Sequence, residues 1–267
     1  MFLSPVWLYF SILKCIESAK FLRVNIELST MPRRPAVRED HMGDFKGFGP
    51  KALGFFKALG FHQTKEWYDA NKPLYEEHVR APFGLLISDV SAGLAKKGVA
   101  LSGDPKKALF RLNRDVRFSK NKSPYKTHAG AVLTRSGDQK DVNGLLYIHV
   151  DPTGCFLGGG FYHPEPPFLK DIRKVIRGRP DRYRELVRHL KRRKLALSEE
   201  DKLTRLPRDF KDVEEEDLIE ALKLKSFLVR APFDDAELKS PKLVDRIVRF
   251  GCDIDPLIVW GRGEDFR

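Results

Sequence analysis

Between Lys126 and Tyr162 the hydrophobic period changes from the helical one to two, and this switch constrains the fold more than any other feature of the chain. Lys126 to Arg135, Gly144 to Asp151 and Cys155 to Tyr162 each read as a strand, preceded by a short strand over 108–112. Asp151-Pro152-Thr153-Gly154 has the turn chemistry of a tight hairpin, and Ser136 to Asp141 forms the loop before it. Connections this short make neighbouring strands antiparallel. Leu146, Ile148 and Val150 point one way and Tyr147, His149 and Asp151 the other, while Phe110 and Leu112 oppose Arg111 and Asn113. The pattern predicts a sheet with one apolar face against helices and one polar, partly open face. Gly158-Gly159-Gly160 interrupts the last of these strands. Consecutive glycines mark a bulge or the close approach of backbone or ligand, which makes Gly159 a candidate ligand contact.

Helical periodicity flanks this region. Leu53, Phe56 and Leu59 mark one face of a helix opened by Pro50 and ended near Gly60. Thr64 is placed to cap a second helix carrying Trp67 and Tyr68, Asn71-x-Pro73 to start another, and Pro82 to open a longer one that ends at Gly98. The last third reads as helical throughout. Phe168, Leu169, Ile172, Val175 and Ile176 form one stripe, and Tyr183, Leu186, Val187 and Leu190 form the next. Asp212 with Glu215 has the spacing of a capping box, and Ser240-Pro241 starts a final helix that should end at Gly251. The expected architecture is a single α+β domain over residues 45–262. An antiparallel sheet of about four or more strands packs on helices.

Residues 1–44 stand apart as an extension, expected to be disordered or to follow a start assigned upstream of Met31 or Met42. The apolar run Phe2–Leu13 is too short to span a bilayer, and it has neither the basic leader nor the cleavage site of a secretory signal. No transmembrane segment is expected. Cys15, Cys155 and Cys252 are odd in number and widely spaced, fitting neither a disulfide framework nor a zinc motif, so a cytoplasmic location is expected. The chain of 267 residues carries a formal net charge of +12, which favours anionic partners.

The densest cluster of charge follows the first strand. Arg111, Arg114, Asp115, Arg117, Phe118, Asn121, Lys122 and Tyr125 give R-x-x-R-D-x-R-F-x-x-N-K-x-x-Y. Several arginines this close cannot all be buried without partners. Either acids such as Asp115 satisfy them, or they face water, or they receive an anion through their bidentate forks. On the anion reading Arg111, Arg114, Arg117, Lys122, Tyr147 and Gly159 bind a phosphorylated or carboxylated ligand. Asp115, Tyr125 and His149 are then the candidate catalytic groups, in the manner of a small hydrolase or transferase. On the structural reading the same residues form an Arg–Asp network that braces a strand exit. Whether the protein is an enzyme at all stays open between them.

This motif, with Trp67, Asn71 and Tyr75 upstream, Gly158 to Pro164, and Leu224-Lys225-Ser226-Phe227, resembles the family called domain of unknown function 2461. The resemblance covers roughly residues 45 to 260. It implies kinship without an assigned activity.

Two further readings come from the residues. His128, His149, Asp151 and His163 offer metal-ligand chemistry, but no pair has a spacing such as H-x-x-x-H, so no metal site is assigned and the cofactor is unknown. The basic segment 170–194, densest at Arg188, Lys191, Arg192 and Arg193, is an alternative site for nucleic acid or an acidic partner through phosphate contacts alone. Oligomeric state is not legible.

Overall fold

The structure, a computed structural model, describes residues 43–266 except 118–120 and 142. The expectations for the first 42 residues, including the Phe2–Leu13 run and Cys15, lie outside the described residues, as does Phe118 of the arginine motif.

Helix α1 (Lys51–Phe61) begins behind Pro50 and buries Leu53, Phe56 and Leu59. Helix α2 (Lys65–Tyr75) starts where the Thr64 side chain accepts the Trp67 amide. Pro73 does not open a new helix: it lies inside α2, and the chain continues through a π turn (Glu76–Arg80) into α3 (Ala81–Lys96). Proline withholds one backbone donor there, and the widened turn that follows accommodates the irregularity.

Strands β1 (Ala129–Thr134), β2 (Leu145–Val150) and β3 (Cys155–Phe161) form the expected antiparallel meander. Helices α4 (Pro166–Gly178), α5 (Pro180–Arg192) and α6 (Glu216–Lys223) follow. After them come β4 (Phe227–Phe233), the short α7 (Asp235–Leu238) and the long α8 (Leu243–Gly261). The described sheet has the order β1-β2-β3-β4, all antiparallel, in a single α+β domain.

The fourth strand is not the one the sequence suggests. Residues 108–112 meet β1 at a single bridge, Leu109 with Ala131, and just beyond them Asn113 bridges Tyr125. The Phe110 amide reaches the Gly130 carbonyl at 2.8 Å and the Leu112 carbonyl takes the Lys126 amide at 2.8 Å. More residues lie between Lys126 and Gly130 than between Phe110 and Leu112, so the chain bulges there and the ladder breaks. His128 sits in that bulge. The fourth strand is β4, in a region read as helical; Arg230 and Pro232 disguise it, and as an edge strand it tolerates the proline.

Two other expectations fail locally. Asp212 and Glu215 form no capping box, since α6 starts at Glu216 without a side-chain cap; the box closes instead between Asp234 and Glu237. Helix α8 runs ten residues past Gly251 and through Pro256, because Ile254, Leu257, Ile258 and Trp260 continue the buried stripe. Gly251 is a packing position: a Cβ there would stand 2.5 Å from the Leu94 side chain and 3.3 Å from Leu146.

Helix α8 covers the sheet face that carries Leu146, Ile148, Leu157 and Val229, and α3 packs behind it. The opposite face is more closed than its polar residues suggest. Tyr147, His149 and Asp151 are all buried, and Tyr147 forms a small cluster with Val132 and Leu145 against which Phe110 and Phe156 pack. No helix among the described residues is long and apolar enough to cross a membrane.

Candidate functional site

Strand register assembles the site. The β1–β2 ladder ends where Ala129 pairs with Val150, and His128 and Asp151 stand one residue beyond that last pair. His149 and Asp151 are two apart in sequence and therefore share a face. The result is a buried corner at the β2–β3 turn. His128 Nδ1 and His149 Nε2 each lie 3.8 Å from Asp151 Oδ2, and the two imidazole rings are 4.6 Å apart. The other carboxylate oxygen, Oδ1, accepts the Thr153 hydroxyl at 2.7 Å and the Thr153 amide at 2.8 Å. His149 Nδ1 is held 2.9 Å from the Tyr147 hydroxyl, while its Nε2 is buried with no hydrogen-bond partner.

Burial, reinforced by the neighbouring imidazole of His149, holds His128 far below the ordinary histidine range against the pull of Asp151. Burial alone would raise Asp151, but His149 at its side and the Thr153 hydrogen bonds outweigh it and keep the carboxyl below its usual range. The corner therefore presents a neutral His128 beside an ionised carboxylate at neutral pH. A pair of imidazoles and one carboxylate, with their ligand atoms within 4.8 Å of one another, is also a set that can hold a metal ion.

Cations and aromatic rings surround this corner. Phe156, paired with His149 across the β2–β3 ladder, stacks on its ring at 4.5 Å. Arg230, opposite Gly158 on β4, lies over Phe156 at 4.3 Å from the ring centre. Lys126 is buried, with its ammonium 5.6 Å from the centre of the Phe110 ring. The positive charges of Lys126 and Arg114 both act on His128.

Of the residues singled out from the sequence, the structure brings His128, Tyr147, His149, Asp151 and Arg114 to this corner. Arg114 is half-buried, donates to the Tyr125 carbonyl at 3.3 Å, and burial lowers its affinity for its proton. Asp115 and Arg117 close on each other, with Nη2 2.8 Å and Nε 3.1 Å from the carboxylate. Lys122 donates to the Val116 carbonyl at 2.9 Å within the same loop, and Arg111 is exposed. Tyr125 is buried elsewhere: it stacks on Tyr68 at 4.6 Å, its amide donates to Gln63 Oε1, and burial raises its phenol. Gly159 faces away from His149. A Cβ there would stand 2.3 Å from Ile254, so the glycine admits α8 onto the sheet. His163 is also separate, at 3.2 Å from Asp201.

The basic helices are largely engaged with acids of the same chain. Arg184 pairs with Asp217, Arg193 with Asp253, Arg177 with Asp212 and Lys170 with Asp209. Arg188, Lys191 and Arg192 are exposed on α5.

Lys126, Phe156 and Arg230 are the site residues that sequence reasoning missed. The signal for Phe156 was available in the hairpin register opposite His149. Arg230 required recognising β4 as a strand.

No curated protein and no solved structure matches the chain. The sequence model of the family described as a conserved hypothetical protein, DUF2461, matches residues 51–260. That span takes in every strand, the buried corner and nearly all of α8, and the chain belongs to this family.

Proposed function

We propose that the protein binds a small phosphorylated or carboxylated ligand at the buried corner of the sheet, and acts on it as a hydrolase or transferase. The observation that carries this reading is that cations from three segments meet the corner: the charges of Lys126 and Arg114 act on His128, and Arg230 lies over Phe156, the ring stacked on His149. Guanidinium and ammonium groups fixed against aromatic faces match the oxygens of an anion while the rings line its apolar part. The anion clamp is thus moved from Arg111, Arg117 and Lys122 to Lys126 and Arg230, with Arg114 common to both sets.

Nucleic-acid binding through residues 170–194 has less support, because acids of the same chain already pair with much of that basic surface. A cytoplasmic location fits the free thiols of Cys155 and Cys252. Calorimetric titration with inorganic phosphate and a panel of phosphorylated and carboxylated metabolites tests the reading. Saturable heat from at least one class is expected, and no binding from any compound at millimolar concentration would overturn it.

A further inference from the structure

We infer that His128, His149 and Asp151 form the binding site of a divalent transition-metal ion of the zinc and iron class. Four observations lead there, and none depends on the anion reading.

The first is the unmade hydrogen bond. His149 is 2% exposed, and its Nε2 is buried without a partner. Leaving such a group unsatisfied costs about 1–3 kcal/mol. Neither histidine closes on Asp151, since 3.8 Å is too long for a hydrogen bond from either ring. The ligand atoms of the three groups lie within 4.8 Å of one another, yet neither ring closes a hydrogen bond on the carboxylate.

The second is division of labour on each ligand. Asp151 spends Oδ1 on Thr153 and turns Oδ2 toward both rings. His149 spends Nδ1 on the Tyr147 hydroxyl and turns Nε2 inward. Metal-binding histidines are held in this way by an outer hydrogen bond to the ring nitrogen that does not ligate, which fixes both tautomer and orientation. In the metal-loaded protein His149 Nδ1–H donates to the Tyr147 oxygen.

The third is spacing. Ligand bonds of about 2.0–2.2 Å put two ligands of one ion about 3–3.5 Å apart. The observed 3.8 Å to each ring requires contraction by only a few tenths of an ångström. The fourth is donor chemistry. Two imidazole nitrogens and one carboxylate suit zinc or iron(II), with positions left open; magnesium and calcium want oxygen throughout, and thiolate is absent from the set. The nearby charges of Lys126 and Arg114 oppose a bare cation. They favour one whose open positions carry an anion, and so the metal and the proposed ligand support each other.

Helical H-x-x-x-H spacing was the wrong template for this set. On a strand the equivalent spacing is His149-x-Asp151, and the third ligand, His128, arrives from the bulge just before β1.

The test is titration of chelator-treated protein with Co²⁺, followed by its visible ligand-field absorption, and with Zn²⁺ by calorimetry. Stoichiometric one-to-one binding is expected. His149→Ala and Asp151→Asn should weaken it by more than the roughly 10–100-fold loss typical of an outer partner, which is the loss expected for Tyr147→Phe. Absence of one-to-one binding in the wild type, or unchanged affinity in folded His149→Ala and Asp151→Asn, overturns the inference. If both ligand variants fail to fold, Tyr147→Phe decides: weakened affinity with an altered Co²⁺ spectrum supports the site, and unchanged affinity overturns it. Phosphate binding without Co²⁺ or Zn²⁺ binding would overturn this inference alone and leave the anion reading standing.

Discussion

The hydroxyl of Tyr147 lies where a side chain on Gly130 would begin: a Cβ at that glycine would stand 2.4 Å from it. Only glycine on β1 lets the phenol lie across the strand and reach His149 Nδ1 at 2.9 Å. Gly130→Ala should therefore move the Tyr147 ring as well as break the hydrogen bond. Overpacking of this kind costs about 1–3 kcal/mol. Tyr147→Phe keeps the ring but takes the partner from the buried His149 Nδ1, at about 1–3 kcal/mol, and avoids the added overpacking of Gly130→Ala. Thermal denaturation should place Gly130→Ala below Tyr147→Phe, and the reverse order would show that the strand accepts the methyl group without displacing the phenol.

Adjacent glycines of β3 should respond differently. A Cβ on Gly159 would stand 2.3 Å from Ile254 of α8, whereas one on Gly158 would find its nearest neighbour, Tyr147 Cβ, at an ordinary 3.6 Å. Gly159→Ala is expected to lose about 1–3 kcal/mol. Gly158→Ala should stay within about 0.5 kcal/mol of wild type. Chemical denaturation of the two variants side by side checks the pair.

The meander and most helices were legible in the sequence because each has a clear local signal: period two with turn residues between, or an apolar stripe with a cap. What escaped depended on long-range pairing. β4 carries an arginine and a proline that only an edge position excuses, and residues 108–112 look like a strand until the bulge at His128 breaks their ladder. The site was half legible for the same reason. His149 and Asp151 share a face by counting, but His128, Phe156 and Arg230 join them only through register. The arginine motif drew attention to its own loop, where Asp115 and Arg117 satisfy each other, and away from Lys126 next to it in sequence.

Arg173 is the buried cation whose role is structural. It donates to the Leu222 carbonyl at 2.8 Å and the Leu224 carbonyl at 3.0 Å, fastening α4 to the turn that leads into β4. Arg173→Met should leave both carbonyls without this donor and cost about 2–3 kcal/mol. Arg173→Lys, which offers one ammonium in place of a two-pronged fork, should recover part of the loss. Urea denaturation measures both.

Neutralising the exposed basic patch should do little. Arg188→Ala, Lys191→Ala and Arg192→Ala together are expected to leave the melting temperature and phosphate affinity close to wild type, as exposed substitutions generally do. Arg193→Ala should cost no more than the ~0.2–1 kcal/mol of an exposed ion pair, through loss of Asp253. Fluorescence anisotropy with short DNA and RNA duplexes is the check. Affinity that falls steeply with salt and vanishes in the triple variant would favour the nucleic-acid reading.

The most direct measurement compares anion-induced thermal stabilisation in two single variants, Lys126→Met and Arg117→Met, each first shown to be folded. Lys126 is buried near the histidine corner and Arg117 is exposed on the loop, so the two separate the sheet corner from the arginine motif. The account predicts that stabilisation by phosphate or a carboxylate is lost in Lys126→Met and kept in Arg117→Met. Stabilisation kept in Lys126→Met and lost in Arg117→Met would contradict it.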